Sequence, residues 1–213
     1  IVYCELFFSP SMFLKKGFAF PEMLETIQKT ITTIEARDHL KIKLIIDLSR
    51  TFGLENARAN LESTLLHKTP MVIGVGLGGD EEKGPASEFG EVFEHAKKMG
   101  LHVVAHAGEV VGPVSIWDAL KTLKVERIGH GLSAIQDPEL VKYLAQNKIP
   151  VEICLTSNVI TQKYVTKPED HPVRPFYDQG VLVVVNTDYT TFFNCSILYE
   201  FWIHNTKIKI TME

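Results

Sequence analysis

Seven short apolar runs, six of them separated by stretches of helical periodicity, constrain this chain more than any other feature. They are Ile1–Phe8, Ile42–Leu48, Met71–Leu77, residues 101–106, Arg127–His130, Val151–Cys154 and Val181–Val185. Near-continuous Val, Ile and Leu at strand length marks parallel strands covered by helices. The helical faces between them are equally readable. Leu24, Ile27, Ile31 and Ile34 share one side after Pro21, a favoured first-turn residue. Leu54, Ala57, Leu61 and Leu65 form the next, and Phe89, Val92, Phe93 and Ala96 a third that stops at Gly100. Ser115 reads as the N-cap of a helix burying Ile116, Ala119, Leu120 and Leu123. Pro138 opens a helix with Leu140, Val141, Leu144 and Ala145. A short piece around Val173, Phe176 and Tyr177 ends at Gly180, and an amphipathic stretch runs from about Ser196 to His204.

Strand, helix, strand, helix admits two architectures, the open doubly wound sheet and the closed (β/α)8 barrel. Polar residues stand at the C-terminal end of nearly every run: Asp80, His106 with Glu109, His130, Thr156 to Asn158, and Asp188. A doubly wound sheet concentrates its chemistry at one switch point, whereas a barrel gathers it from many strand ends around one mouth. The expected fold is therefore an α/β barrel of the TIM type, one strand short of eight. At 213 residues with 45% hydrophobic content, the chain reads as a single barrel domain, incomplete at its N-terminus and at its C-terminus.

The 22 Lys and Arg against 26 Asp and Glu leave a formal charge of −4, with no basic arm or stripe. That excludes the electrostatic footprint of a nucleic-acid binder and suits a small uncharged-headed substrate. Cys4, Cys154 and Cys195 lie in or beside apolar runs without Cys-x-x-Cys spacing. Buried thiols in a reducing, cytoplasmic compartment are expected, rather than disulfides or a thiolate zinc site. No apolar run is long enough to span a bilayer. Nothing in the sequence sets an oligomeric state.

The chemistry centres on His106-Ala107-Gly108-Glu109. His106 ends a strand, and Gly108 allows a sharp turn that brings the Glu109 carboxylate back beside the imidazole. A ligand nitrogen next to a proton-transferring carboxylate is what metal-assisted hydrolysis requires. His130 and Asp188 end two further strands and would converge on the same barrel mouth. His106 and Asp188 suit one zinc ion, which accepts imidazole nitrogen and carboxylate oxygen. Glu109 suits proton transfer, and His130 could orient the water or stabilise charge on it. The bland readings are a core histidine for His106, a loop acid for Glu109, a strand-end imidazole bonded to a backbone carbonyl for His130 and a helix N-cap for Asp188. Gly76-Leu77-Gly78-Gly79 fits neither the dinucleotide fingerprint nor the P-loop. Its glycines more plausibly let a flat ring approach, with the Gly79 N–H as donor. Glu94-His95-Ala96-Lys97-Lys98 reads as a solvated helix face, and His39, His67, His171 and His204 have no partner that the sequence names.

Taken jointly, His106-Ala107-Gly108-Glu109, Arg127-Ile128-Gly129-His130-Gly131, Cys154-Leu155-Thr156-Ser157-Asn158, His171-Pro172 and Asn186-Thr187-Asp188 resemble the adenosine deaminase family of the amidohydrolase superfamily, in order and approximate spacing. The resemblance runs over essentially the whole chain. It implies zinc-dependent hydrolytic deamination of a 6-aminopurine, adenosine to inosine plus ammonia. His106 and Asp188 would be zinc ligands, and Glu109 would protonate the ring nitrogen beside the amino-bearing carbon. His130 would assist the attacking water, and the Gly79 backbone would bond the purine.

Three departures qualify what the resemblance implies. The family's first strand carries a His-x-His pair of zinc ligands, and this sequence contains none, Ile1 corresponding to the start of the family's second strand. Tyr189 stands where the family usually has a second Asp against the purine imidazole ring. Tyrosine can still donate a hydrogen bond but brings no carboxylate at neutral pH, which makes Tyr189 a candidate specificity residue. Gly76, Gly78 and Phe7 replace residues usual in adenosine deaminases proper, pointing to an adenosine-deaminase-like branch. Such branches act on adenine, N6-methyl-AMP or aminodeoxyfutalosine. Two other readings compete. One is a non-catalytic purine-binding barrel that has lost its metal. The other is a different amidohydrolase reaction, which the absence of a strand-end lysine disfavours.

Overall fold

The computed structural model describes residues 2–210, so Ile1, the first residue of the first expected strand, lies outside the described residues. The chain divides into two compact units, residues 1–104 and 105–213.

In the first unit, β1 (Tyr3–Phe8), β2 (Lys41–Asp47) and β3 (Val72–Leu77) pair in parallel and in sequence order. Each crossover is helical: α1 (Ser11–Lys15) and α2 (Phe20–Asp38) lie between β1 and β2, and α3 (Gly53–His67) between β2 and β3. After β3 comes α4 (Gly90–Lys98). Ile42, Leu44, Ile45 and Ile46 of β2 are buried, the near-continuous burial expected of a parallel strand covered on both faces. Leu24 and Ile31 of α2, Ala57 and Leu61 of α3, and Val92, Phe93 and Ala96 of α4 are buried along the predicted faces. Glu94, His95, Lys97 and Lys98 point to solvent, with His95 Nδ1 3.7 Å from Glu62 Oε1. The structure adds α1, a helix too short for its periodicity to register in the sequence.

The run from 101 forms β4 (His102–Ala107), at the division between the units. In the second unit, β5 (Arg127–His130), β6 (Val151–Ile153) and β7 (Val183–Val185) are again parallel and sequential. The helices are α5 (Pro113–Asp118), α6 (Pro138–Gln146), α7 (Leu155–Thr161), α8 (Val173–Asp178), α9 (Thr190–Phe193) and α10 (Ile197–Ile203). Ser115 is not the N-cap of α5. That place belongs to Gly112, because Pro113, with no N–H to satisfy and φ already helical, starts the helix three residues earlier. The Asp137 carboxylate does cap α6, accepting from Glu139 N and Leu140 N. Of the cysteines only Cys154 is buried; Cys4 and Cys195 are partly exposed, and all three are free thiols. No described helix is long and apolar enough to cross a membrane.

Candidate active site

The second unit carries the cluster. Gly108, at φ +71°, makes the turn after β4. A Cβ there would lie 2.5 Å from Ile116 Cδ1 and from Ser133 Oγ, so both conformation and space demand glycine. The turn brings Glu109 Oε2 to 3.5 Å from His130 Nε2, at the end of β5. The His106 and His130 rings lie 5.0 Å apart, centroid to centroid, at 55°. Gly129 leaves room for this pairing, since a Cβ at that position would sit 3.3 Å from His106 Cα and Cγ. His106, Glu109 and His130 are thus brought together as their strand-end positions predict.

Asp188 follows β7, and its Oδ2 accepts a 2.7 Å hydrogen bond from Ser157 Oγ in α7. It does not cap α9, whose N-cap position is Tyr189. His130 and Asp188 both hold left-handed backbone, φ 63° and 56°. Seven other described non-glycine residues share that region, and aspartate and histidine enter it more readily than most, so the conformation marks sharp turns at these two strand ends. Tyr189 is 65% exposed.

Burial pushes the Cys154 thiol well up, with the carboxylates of Asp188, Glu152, Glu200 and Glu109 adding to the effect. The same interactions place Asp188 and Glu109 within electrostatic reach of one sulfur. The surroundings of Cys154 thus favour the protonated thiol over the thiolate. The donors present, the His106 imidazole and the Asp188 carboxylate, match zinc in type but number two, where a catalytic zinc takes three protein ligands. Among the described residues, no group of three or more His, Cys, Asp and Glu could hold a metal.

Behind the cluster lies a polar chain whose members the sequence shows in separate motifs without joining them. Asn158 Nδ2 is 2.9 Å from His130 Nδ1, and Asn158 Oδ1 is 3.2 Å from His171 Nε2. His171 Nδ1 accepts the Val173 backbone N–H at 3.0 Å. Burial, with His204 and His130 nearby, lowers the His171 pKa from 6.5 to about 3. His171 is therefore neutral at physiological pH.

Gly79 belongs to the first unit, in the turn after β3, at φ +95°. A Cβ there would press on Thr51 Oγ1, and Thr51 Oγ1 itself accepts the Asp80 N–H at 2.8 Å. Asp47, at the end of β2, anchors the neighbouring backbone: its carboxylate accepts from Gly78 N at 2.7 Å, Ser49 N at 3.1 Å and Ser9 Oγ at 2.9 Å. The glycine turn is thus anchored by hydrogen bonds, of which those from Ser49 N and Gly78 N to Asp47 are buried, and shaped by contacts that leave no room for a side chain at position 79.

Comparison with known proteins accords with this geometry. The adenosine deaminase family model matches residues 1–213. An adenosine deaminase of Shewanella denitrificans is 40% identical over 208 residues, covering 97% of this chain and 62% of that protein. Among solved structures, the adenine deaminase of Arthrobacter aurescens superposes with a TM-score of 0.93 at 28% identity, over 98% of this chain and 63% of that one. The N6-mAMP deaminase of Arabidopsis gives 0.87 at 26% identity, over 99% and 64%. The chain thus spans a little under two thirds of the length of these relatives. Its fold is the α/β fold of these deaminases, as the alternation of strands and helices predicted. The chain belongs to the adenosine deaminase family.

Proposed function

We propose that the protein is a zinc-dependent hydrolytic deaminase of a 6-aminopurine nucleoside, converting adenosine to inosine and ammonia. The observation that carries this reading is the approach of Glu109 to His130 at 3.5 Å beside the His106 ring. His106 and Asp188 contribute two of the ligands of one zinc ion, Asp188 being held by Ser157. Zinc, when bound, makes hydroxide available from water at neutral pH. Glu109 gives a proton to the ring nitrogen next to the amino-bearing carbon, leaving that carbon electrophilic. The water oxygen bonds to that carbon as one water proton passes to Glu109 and restores it; the other then moves to the amino nitrogen, and the carbon–nitrogen bond breaks as the carbonyl forms. His130 stabilises the charge that develops on the oxygen, and the amino group leaves as ammonia. The Tyr189 hydroxyl bonds the purine. The small-molecule partner is thus a purine, and the residues' chemistry is compatible with a cytoplasmic setting.

A second reading is a purine-binding barrel without a metal. Elemental mass spectrometry of the purified protein, with His106→Ala alongside, separates the two. About one zinc per chain, lost in the variant, together with ammonia release from adenosine, supports the deaminase. Purine binding in calorimetry with neither zinc nor ammonia release supports the binding protein.

Tyr189 is the residue on which the choice of purine turns in this reading. Tyr189→Asp exchanges a neutral donor for a carboxylate, and one hydrogen bond contributes about 1 kcal/mol, or up to about tenfold. The expected result is a change of that order in the ratio of kcat/KM for adenosine to that for adenine or AMP. An unchanged ratio removes Tyr189 from specificity.

A further inference from the structure

We infer that Asn158 and His171 are positioning residues that hold His130 in the tautomer with its proton on Nε2, so that it meets the reacting groups as an N–H donor. The inference rests on the deaminase reading only for what His130 then does.

The tautomer follows from one group whose role is not ambiguous. A backbone amide can only donate, so Val173 N–H requires His171 Nδ1 to be an acceptor without a proton. Neutral imidazole has one proton, which must then be on His171 Nε2. That N–H donates to Asn158 at 3.2 Å, which requires the amide oxygen on the His171 side. The amide nitrogen consequently faces His130, and a carboxamide N–H can only donate to His130 Nδ1, 2.9 Å away. His130 Nδ1 is an acceptor, and the proton of a neutral His130 is on Nε2, the nitrogen 3.5 Å from Glu109 Oε2. The reverse amide orientation would ask His171 to accept at both nitrogens, which a neutral imidazole cannot do. The chain is closed to solvent: Asn158 is 0% exposed and His130 and His171 are each 2% exposed, so water does not compete for these bonds. The lowered pKa of His171 removes the doubly protonated form that would break the argument.

Outer partners of this kind matter because they set which nitrogen of a histidine is the donor. With its proton on Nδ1, His130 would offer Glu109 a lone pair, and two acceptors would face each other across 3.5 Å whenever Glu109 is ionised.

A long-range proton–nitrogen NMR spectrum of the 15N-labelled protein reads the tautomer directly, with the His130 signals identified by their loss in His130→Gln. The expected pattern is an unprotonated Nδ1 and a protonated Nε2. A protonated Nδ1 in the parent protein overturns the inference, whatever the protein's activity. Kinetics provide the second arm. Asn158→Asp replaces the donor facing Nδ1 by an acceptor and should draw the proton to Nδ1, lowering kcat by about 10- to 100-fold with KM little changed. His171→Gln, whose terminal amide can still donate at the Nε2 position, should recover most of the kcat that His171→Leu loses. An Asn158→Asp protein with the parental spectrum and kcat overturns the inference, as does equal loss in His171→Gln and His171→Leu. A parent protein with the expected tautomer but no ammonia release from any 6-aminopurine would instead refute the proposed reaction and leave the tautomer assignment standing.

Discussion

Glu109→Gln should lower kcat for adenosine by about 10²- to 10⁴-fold, the range that a positioned proton-transfer group supplies, while zinc content stays that of the parent. Glutamine keeps the volume and can still reach His130, so the turn at Gly108 and the packing of the cluster are preserved. What it cannot do is carry a titratable proton between water and the purine ring. The variant separates proton transfer from metal binding because Glu109 is not one of the proposed ligands, His106 and Asp188. Steady-state ammonia release paired with elemental mass spectrometry of the same preparation makes the measurement. Turnover within about tenfold of the parent, a loss of no more than about 1.4 kcal/mol in barrier, would remove Glu109 from the mechanism.

His171 should make the protein lose stability in acid in a way that its replacement does not. Its pKa is about 3 in the folded protein and 6.5 in the unfolded chain, burial being the main cause and the neighbouring His204 and His130 contributing. Between those values the unfolded chain binds the proton and the folded protein does not, so stability falls as pH falls below 6.5 and goes on falling to about 3. From pH 7 to pH 5 the loss assigned to His171 is about 2 kcal/mol, at about 1.4 kcal/mol per unit below the unfolded pKa. His204, whose pKa burial also lowers, acts in the same direction. Glu200 acts in the opposite one, since burial raises its pKa and folding is penalised less as it protonates. Urea unfolding of the parent and of His171→Gln at pH 7 and pH 5 isolates the effect as a difference of slopes. The variant is expected to lose about 2 kcal/mol less over that interval, whatever its stability at pH 7. Equal slopes would mean that His171 is not held neutral by the fold.

The apolar runs were legible because strands covered on both faces need little besides Val, Ile and Leu, and β5 matches its expected bounds residue for residue. The meeting of His106, Glu109 and His130 was legible for a related reason: strand ends and one obligatory glycine fix where the chain must turn. Other parts had no local signal. Leu155–Thr161 reads as the loop after a strand, since only tertiary packing makes its two turns of helix worthwhile. β7 is two residues shorter than its apolar run, Val181 and Leu182 preceding the strand. Asn158 joins His130 to His171 across separations of 28 and 13 residues, which no periodicity encodes. His171-Pro172 was visible as a family motif, yet its partner could be found only in three dimensions.

The left-handed backbone at His130 and Asp188 bears on which sequences can be reached from this one. Asparagine and aspartate visit that region at modest cost and glycine at none, whereas valine, isoleucine and threonine are driven from it by their branched Cβ. A mutational scan read only for growth would therefore confuse two kinds of intolerance at these positions, one set by chemistry and one by φ. Asparagine at 188 keeps the conformation and nearly the volume while removing the carboxylate, so it reports chemistry there; at 130 it also empties the space of a buried ring. Drift at these two strand ends is accordingly channelled toward a few small or amide-bearing residues, and a relative that has lost the chemistry would be recognised by glycine or asparagine there.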